Sequence, residues 1–344
     1  MILFNLFALL ILLITIANLK SVKKLTPDLI TPNTNYDILV PMRNEEVNVE
    51  PLITNLIAQS GKIYILNDGS TDKTSEKLAT FANQVTILNG KELPEGWLGK
   101  NFACHQLVVA SENEYLVFID ADVRLEKGAI NSALNYMKQT GWDFLSAYPR
   151  QEIAGALGLL IQPLLQWSWF ATVPMFIAKR FPSKSMAVAN GQFLIIKRSA
   201  YLAAGGHKSV KGEVLEDMEL ARLLIGAGFK GGVADGSEIA SCEMYKNDSE
   251  LIAGYSKSLW RAFGSPFGSV VAILIAISLS IPFLYTTIGA LYILISRLAV
   301  AYKVRSSFLS AFLHPIAMLA LSLLIINSHK KHRQGKLQWK GRTV

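Results

Sequence analysis

Two aspartates separated by one residue end the apolar stretch "VFIDADVRL", residues 117–125. Alternate side chains of a strand lie on one face, so Asp120 and Asp122 would repel each other if the strand continued through them. Such a pair is tolerated where a cation or a cationic substrate lies between the carboxylates. A solvated turn after a buried strand would explain the same residues without a ligand. The pair therefore indicates either a cation site or a turn.

Acidic or amide residues follow three of the four apolar runs in this part of the chain. The clusters are Arg-Asn-Glu-Glu at 43–46, Asn-Asp-Gly-Ser at 67–70 and Asp-Ala-Asp at 120–122. In open parallel sheets, ligands bind at the carboxyl ends of the strands. Recurrence of the clusters at strand ends favours a site along one sheet edge over three unrelated turns.

Further candidate residues lie outside these clusters. Glu216 and Asp217 begin the helical pattern "MELARLLIGAG", where the helix dipole favours a carboxylate, so helix capping alone would explain one of them. Lys100, in a Gly-Lys turn, either reaches a phosphate or is a solvated surface residue. His207, in a Gly-Gly-His turn, is either a metal or diphosphate ligand or a hydrogen-bonded turn histidine.

The elements that must position these residues alternate between strand and helix. Short β-rich runs occur in "YDILVPM", which Pro41 is expected to stop, and in "KIYILN", "VTILN" and "YLVFI". Helical patterns lie between them, for example at 46–59 and at 72–82, the latter entered through a Ser-Thr-Asp N-cap. This order predicts an α/β fold with a mostly parallel sheet covered on both faces.

Composition indicates that part of the chain lies in lipid. The 344 residues are 51% hydrophobic and 17% charged, with a mean hydropathy of +0.31, whereas soluble domains are about a quarter charged. Residues 2–19 are apolar and uncharged, and they lack the basic leader and small-residue cleavage site of a signal peptide. Residues 1–20 are therefore predicted to be a retained membrane anchor, and the lysines at 20, 23 and 24 place its C-terminal flank in the cytoplasm.

Apolar sequence returns within residues 268–327. Residues 269–296 carry no charge, and the last 17 residues contain six Lys or Arg, which indicates a basic cytoplasmic tail at 328–344. Two crossings satisfy this orientation, and a hairpin broken near Pro282 would give three. The apolar segment 155–178 is interpreted as interfacial, with Trp167, Trp169 and Phe170 at headgroup depth, or alternatively as a kinked core helix.

The net charge of +8 does not indicate nucleic-acid binding, because much of the excess lies in the tail and beside the predicted anchors, where it suits anionic headgroups. Cys104 and Cys242 fit no disulfide framework or metal-ligand spacing, which is consistent with a reduced cytoplasmic compartment.

Seven ordered blocks carry a resemblance to a known family: "VPMRNEE", "LNDGSTDKT", "LPEGWLGKNFA", "FIDADV", "ANGQFLIIKRSAY", "GGH" and "LEDMELA". Over residues 35–260 the chain resembles the family 2 glycosyltransferases. The Gly-Trp-Leu-Gly-Lys block, the Gly-Gly-His turn and "EMYKNDSELIAGYSKS" resemble the membrane-bound branch with carotenoid (diaponeurosporenoate-type) and hopanoid-associated enzymes.

The resemblance implies a cytoplasmic catalytic domain of GT-A fold at residues 35–265, a nucleotide-diphosphate sugar, a divalent metal (Mg²⁺ or Mn²⁺) and inversion of the anomeric carbon. It implies that Asp217 is the catalytic base, with Glu216 beside it, and that Asp122 is a metal ligand, with His207 as a further one. The expected nucleotide-sugar contacts are Pro41, Arg43, Glu45, Asp68, Lys100 and Asp120, and the alternative role of Asp120 is to support the metal. Asn67 stands where the family often has a second Asp.

One departure points to the transfer of a single sugar. Processive polysaccharide synthases of the family carry a Gln/Arg-x-x-Arg-Trp block, but this chain reads Ser-Leu-Trp-Arg at 258–261. The predicted acceptor is a lipid in the cell membrane, carotenoid- or hopanoid-like, at the cytoplasmic face. The alternatives are a polyprenyl-phosphate sugar transferase and a non-catalytic membrane scaffold that retains the fold.

Overall fold

A computed structural model describes residues 2–30, 34–280 and 287–343. The chain divides into two compact units. The sheet unit comprises Lys23–Arg150 and Ala178–Cys242, and the helical unit comprises Met1–Val22, Gln151–Ile177 and Glu243–Val344. In chain order the elements are α1 (Ile2–Ser21), β1 (Tyr36–Met42), α2 (Val49–Ile57), β2 (Lys62–Asn67), α3 (Thr74–Ala79), β3 (Thr86–Asn89), α4 (Gly99–Ala110), β4 (Tyr115–Ile119), β5 (Val123–Leu125), α5 (Ala129–Thr140), β6 (Phe144–Tyr148), β7 (Arg150–Gln151), α6 (Gly155–Thr172), α7 (Met175–Ala178), a 3₁₀ turn (Lys184–Met186), β8 (Phe193–Lys197), α8 (Arg198–Ala203), α9 (Gly206–Ser209), α10 (Glu216–Gly226), β9 (Gly231–Asp235), β10 (Ala240–Cys242), α11 (Asp248–Ala262), α12 (Pro266–Ser280), α13 (Thr287–Lys303), α14 (Leu309–Phe312), α15 (His314–Arg333), β11 (Gln338–Trp339) and β12 (Arg342–Thr343).

The sheet unit is built on a seven-stranded sheet of order β3-β2-β1-β4-β8-β6-β9. Neighbouring strands are parallel except at β8, which is antiparallel to both β4 and β6. The inner strands are runs of Val, Ile, Leu and Tyr because both faces of such a sheet are covered, and all five residues of β4 are buried. The predicted α/β fold with a mostly parallel sheet is confirmed.

The reversed direction of β8 matters for the site. Ile119, the last residue of β4, pairs with Phe193, the first residue of β8. The loop that enters β8 therefore lies at the carboxyl end of β4. The backbone N–H of Asp120 donates to the carbonyl of Gln192 in that loop, at 3.1 Å.

The prediction that Pro41 stops the first strand is wrong by one residue. Strand β1 continues through Pro41 to Met42, and both residues stay in register with β2. Pairing of β1 with β4 ends at Leu39, so the missing N–H of Pro41 costs no hydrogen bond on that side.

Within the described ranges, α1 is the one helix long and apolar enough to cross a bilayer by itself. By length and composition, α11 and α12 together could also form one broken span, with a bend of 112° between the two helices. The two predicted C-terminal crossings are therefore not confirmed as separate spans, and the predicted break near Pro282 lies outside the described residues.

Segment 155–178 forms α6 and α7, and α6 belongs to the helical unit. Trp167 and Phe170 are buried by protein, and the indole N–H of Trp167 donates to Ser296 Oγ at 2.7 Å. These two rings therefore pack inside the helical unit, as the core-helix alternative requires, and the interfacial position of the segment stays a prediction. Pro163 lies within the helix.

Candidate active site

Lys100 joins two of the predicted acidic positions. Its ammonium lies 2.9 Å from Asp120 Oδ1 and 3.0 Å from Glu216 Oε1, and its side chain is 33% exposed. Lys100 is in the first turn of α4, where the helix dipole disfavours a cation, so the two carboxylates must hold it there. Burial alone would lower the pKa of Lys100, but Asp120 and Glu216 outweigh it and hold the pKa well above the ordinary value.

The two aspartates of the Asp-Ala-Asp block do not continue a strand. Strand β4 ends at Ile119, and the N–H of Val123 donates to the carbonyl of Asp120 at 3.1 Å, which closes a tight turn. The two carboxylates therefore do not share one strand face, and the backbone here is the turn that the sequence offers as the alternative. The turn directs Asp120 to Lys100 and leaves Asp122 with different neighbours.

Asp122 is half-buried and has an unusual environment for a carboxylate. Its side chain is hydrogen-bonded with the Cys242 thiol, and its Oδ1 has no solvent contact and no hydrogen-bond partner among the residues that the structure describes. Loss of solvation, followed by the charges of Asp120 and Glu45, raises the pKa of Asp122 to about 7. A buried carboxylate oxygen that accepts no hydrogen bond is available as a ligand for a cation.

Asp217 is held by the backbone. The N–H of Gly191, in the loop before β8, donates to Oδ2 at 2.7 Å, and the N–H of Met218 donates to Oδ1 at 2.8 Å. A β-carbon at Gly191 would lie 3.4 Å from Asp217 Cβ and from Lys100 Nζ, in ordinary van der Waals contact with both. Burial and then the charge of Glu216 raise the pKa of Asp217 to about 6.

His207 is a buried, neutral imidazole. Its backbone N–H donates to the Tyr201 hydroxyl at 2.9 Å, and that hydroxyl lies 2.8 Å from His207 Nδ1. The tautomer of the imidazole decides which of these two groups donates in the second hydrogen bond. Burial lowers the pKa of His207 to about 4. The structure therefore holds His207 as a hydrogen-bonded turn histidine, and its role as a metal ligand stays a prediction.

Hydrogen bonds join the cluster at 43–46 to the cluster at 67–70 and the residues that follow it. Arg43 Nη1 donates to the carbonyls of Asp68 and Gly69 at 2.6 and 2.8 Å, and the N–H of Glu45 donates to Thr74 Oγ1 at 2.8 Å. Asp68 is buried, and a β-carbon at Gly90 would lie 3.1 Å from its Cα. Arg43 therefore braces the loop that carries Asp68, and its predicted nucleotide contact stays a prediction.

One pocket collects most of the predicted residues. It is lined by Pro41, Lys100, Cys104, Phe118, Asp120, Gly191, Leu194, His207, Glu216 and Asp217. Asp122, Arg43, Glu45 and Asp68 are not among these lining residues. Gly191 and Cys104 were not predicted as site members, although "ANGQF" contains the first. Both cysteines are free and buried.

A divalent metal fits this site only if the ligand supplies part of its shell. The described part of the chain holds no group of three or more His, Cys, Asp or Glu side chains arranged for a metal ion. Asp122 offers one oxygen without a hydrogen-bond partner. Hard divalent cations accept one or two carboxylates together with phosphate oxygens and water. The donor set therefore suits a cation shared with a diphosphate.

Both the sequence and the fold of the chain are similar to those of known glycosyltransferases. Residues 37–203 match the model of Glycosyl transferase family 2. The 4,4'-diaponeurosporenoate glycosyltransferase of Staphylococcus aureus (strain USA300) is 26% identical over 335 residues, covering 89% of this chain and 87% of that protein.

Among solved structures, the mannosyltransferase PcManGT from Pyrobaculum calidifontis, in complex with GDP-Man and Mn²⁺, superposes with a TM-score of 0.56. It is 16% identical and covers 96% of this chain and 99% of its own, so the likeness concerns the fold. The chain is therefore a glycosyltransferase whose residues 37–203 match the family 2 model and whose sequence resembles the diaponeurosporenoate branch.

Proposed function

We propose that the chain moves a single sugar from a nucleotide-diphosphate sugar to a lipid acceptor, with a divalent cation and with inversion at the anomeric carbon. The observation that carries the proposal is the fixed carboxylate of Asp217 in the same pocket as Lys100 and Asp120. A carboxylate with a raised pKa that faces a donor pocket is suited to act as a base near neutral pH.

Asp217 removes the proton of the acceptor. Its two backbone hydrogen bonds fix the orientation of the carboxylate, so it can accept a proton from a hydroxyl or orient an acceptor carboxylate. A single displacement by the acceptor, opposite to the leaving diphosphate, inverts the anomeric carbon. Glu216 supports this role indirectly because it holds Lys100 and raises the pKa of Asp217.

Asp122 is the residue that would hold the cation, with Asp120 and Lys100 beside the diphosphate. Bound there, Mg²⁺ or Mn²⁺ would neutralise charge on the leaving diphosphate. The single-metal donor set is incomplete without the nucleotide sugar, so the donor and the cation are expected to bind together. The neutral His207 is placed to donate a hydrogen bond to an oxygen of the bound donor.

A lipid acceptor fits the helical unit. Its helices expose many large apolar side chains, including Leu10 and Leu13 of α1, Leu274 of α12 and Leu323 of α15. Helix α15 ends in Lys330, Lys331, His332 and Arg333, which suits anionic headgroups at a cytoplasmic surface. We infer a protein of the cell membrane, with an α1 anchor, catalysis at the cytoplasmic face, and a terpenoid acceptor of the kind that the name of the S. aureus relative indicates.

The test is sugar transfer by full-length protein to lipids of host membranes, with a panel of radiolabelled sugar nucleotides and mass analysis of the labelled lipid. Asp122→Asn and Asp217→Asn are each expected to lose at least about a hundredfold in kcat, since each removes a charge at the reacting centre. Glu76→Gln, an exposed acid of α3, is the matched control and should retain activity.

Full activity in either site variant would overturn the site assignment. The anomeric configuration of the product, determined by NMR, tests inversion. A sugar attached through phosphate, rather than to a hydroxyl or carboxyl group of a terpenoid, would instead identify a polyprenyl-phosphate sugar transferase.

A further inference from the structure

A buried arginine in the helical unit lacks a countercharge. Arg297 of α13 is 3% exposed, and its Nη2 donates to the carbonyl and hydroxyl oxygens of Ser310 at 2.9 and 2.7 Å. Its guanidinium lies over the ring of Trp167, 5.5 Å from the ring centroid. Within the ranges that the structure describes, Nη1 has no hydrogen-bond partner.

The sequence around this site contains no acidic residue that could pair with Arg297. Helices α6, α13, α14 and α15 include no Asp or Glu, and after Glu250 the chain has eleven Lys and Arg and not one acid. Removal of an isolated charge from water is strongly unfavourable, and a single cation–π contact offsets only part of that cost. The charge therefore calls for a partner from outside the chain.

We propose that Arg297 binds the anionic head, a carboxylate or a phosphate, of an amphiphilic lipid through its free Nη1 edge. A guanidinium whose Nη2 is already fixed to Ser310 is oriented in advance for an oxyanion. The apolar tail of the ligand has exposed apolar surface in the same unit, such as Ile295 of α13 and Phe308 and Phe312 near α14. Two sources share this chemistry, a bilayer phospholipid and an acidic lipid acceptor.

Binding is measured without any sugar donor, so the outcome is independent of the proposed transfer reaction. Full-length protein in detergent is titrated with two matched pairs of probes, phosphatidylglycerol against phosphatidylcholine and retinoic acid against retinol. Wild type is expected to bind an anionic member at least about tenfold more tightly than its uncharged or zwitterionic partner. Preference in the first pair identifies a phospholipid site, and preference in the second identifies a site for a lipid carboxylate.

Arg297→Met should abolish the preference, whereas Arg261→Met, which replaces an exposed arginine of α11 in the same unit, should keep it. In lipid-free detergent, Arg297→Met should unfold at the same temperature as wild type or higher, because it removes a buried unpaired charge. The preferred anionic lipid should raise the thermal midpoint of wild type alone. Arg297→Gln, a second neutral variant, should lose the preference in the same way.

Absence of any headgroup preference in wild type overturns the proposal, and so does a preference that survives in Arg297→Met. The first of these results needs no variant, so it stands even if Arg297→Met does not fold.

Discussion

At the scale of single residues, the site is a balance of one lysine and three carboxylates. Asp120 and Glu216 contact Lys100 directly, and Asp217 lies in the same pocket. A nucleotide-diphosphate sugar brings more negative charge to this pocket. The positive charge of Lys100 therefore offsets the repulsion among the three carboxylates. It also offsets the repulsion between these carboxylates and the diphosphate of the donor, so removal of this charge is the first test of the site.

Replacement of Lys100 by methionine should raise the KM for the sugar nucleotide by about ten- to a hundredfold, the range expected for loss of one or two charge-assisted hydrogen bonds. Steady-state kinetics at saturating acceptor would measure it. Lys91→Met removes an exposed lysine and serves as the control. An unchanged KM for Lys100→Met would show that the lysine only stabilises the fold.

The pH dependence of kcat should report Asp217. A base must be deprotonated, and its pKa is raised to about 6, so kcat should fall as pH drops through about 6 and level off above it. Glu216→Gln removes the nearby charge that is the second cause of the raised pKa. The acid limb of the profile should therefore move to lower pH in this variant. A limb that stays in place or moves upward would contradict the assignment.

At the scale of elements, α4 and the loop before α10 are joined by one side chain. Asn101 is 1% exposed, and its Nδ2 lies 2.8 Å from the carbonyl of Val210, 3.2 Å from that of Lys211 and 3.0 Å from that of Glu213. The loop leads directly into Glu216 and Asp217, and Lys100 precedes Asn101. Asn101 therefore sets the spacing between the lysine and both acids without lining the pocket itself.

Asn101→Ala should cost about 1–3 kcal/mol of stability, because it leaves buried carbonyls without a donor. It should also lower kcat more than it raises KM for the donor, since the base is displaced while Asp120 remains in place. Denaturant unfolding and kinetics on the same protein would separate the two effects. Asn135→Ala, which loses one hydrogen bond to Asp28, is the control for stability alone. A purely structural role for Asn101 would leave kcat unchanged at temperatures where the variant is folded.

At the scale of the whole molecule, α1 is part of the helical unit as well as a candidate anchor. Asn18 is fully buried in it, and its Nδ2 donates to the carbonyls of Phe170 and Val173 at 2.9 and 2.7 Å. Thr15 shares a hydrogen bond of 2.8 Å with Ser296 of α13. An apolar tether that served only to hold the protein at a membrane would need none of these contacts.

Asn18→Ala should lower the thermal midpoint of the detergent-solubilised protein, because buried carbonyl groups of α6 and its C-terminal end lose their donor. Leu13→Ala on an exposed position of α1 should leave the midpoint nearly unchanged while weakening retention in membranes. Equal midpoints for wild type and Asn18→Ala would indicate that α1 acts as a tether alone.

Much of the sheet could be predicted from local pattern. Strands β1 to β4 follow the four apolar runs, because a strand covered on both faces must be apolar throughout. The helical patterns at 46–59 and 72–82 became the shorter α2 and α3, since patterns mark element type better than element ends. The apolar segment 155–178 was ambiguous because a membrane-facing helix and a buried helix share a composition, and only contacts with α13 distinguish them.

The positions of acids and amides after the strands, and of Glu216 and Asp217 at a helix start, follow from the order of the amino acids, because these features depend on neighbours a few residues away. Which acids meet depends instead on how distant elements pack. Asp120 turns to Lys100 and Asp122 to Cys242, and Gly191 reaches Asp217 because β8 runs against β4. These pairs join residues from 20 to 120 positions apart, and packing of whole elements fixes their distances. A local pattern carries no information about that packing.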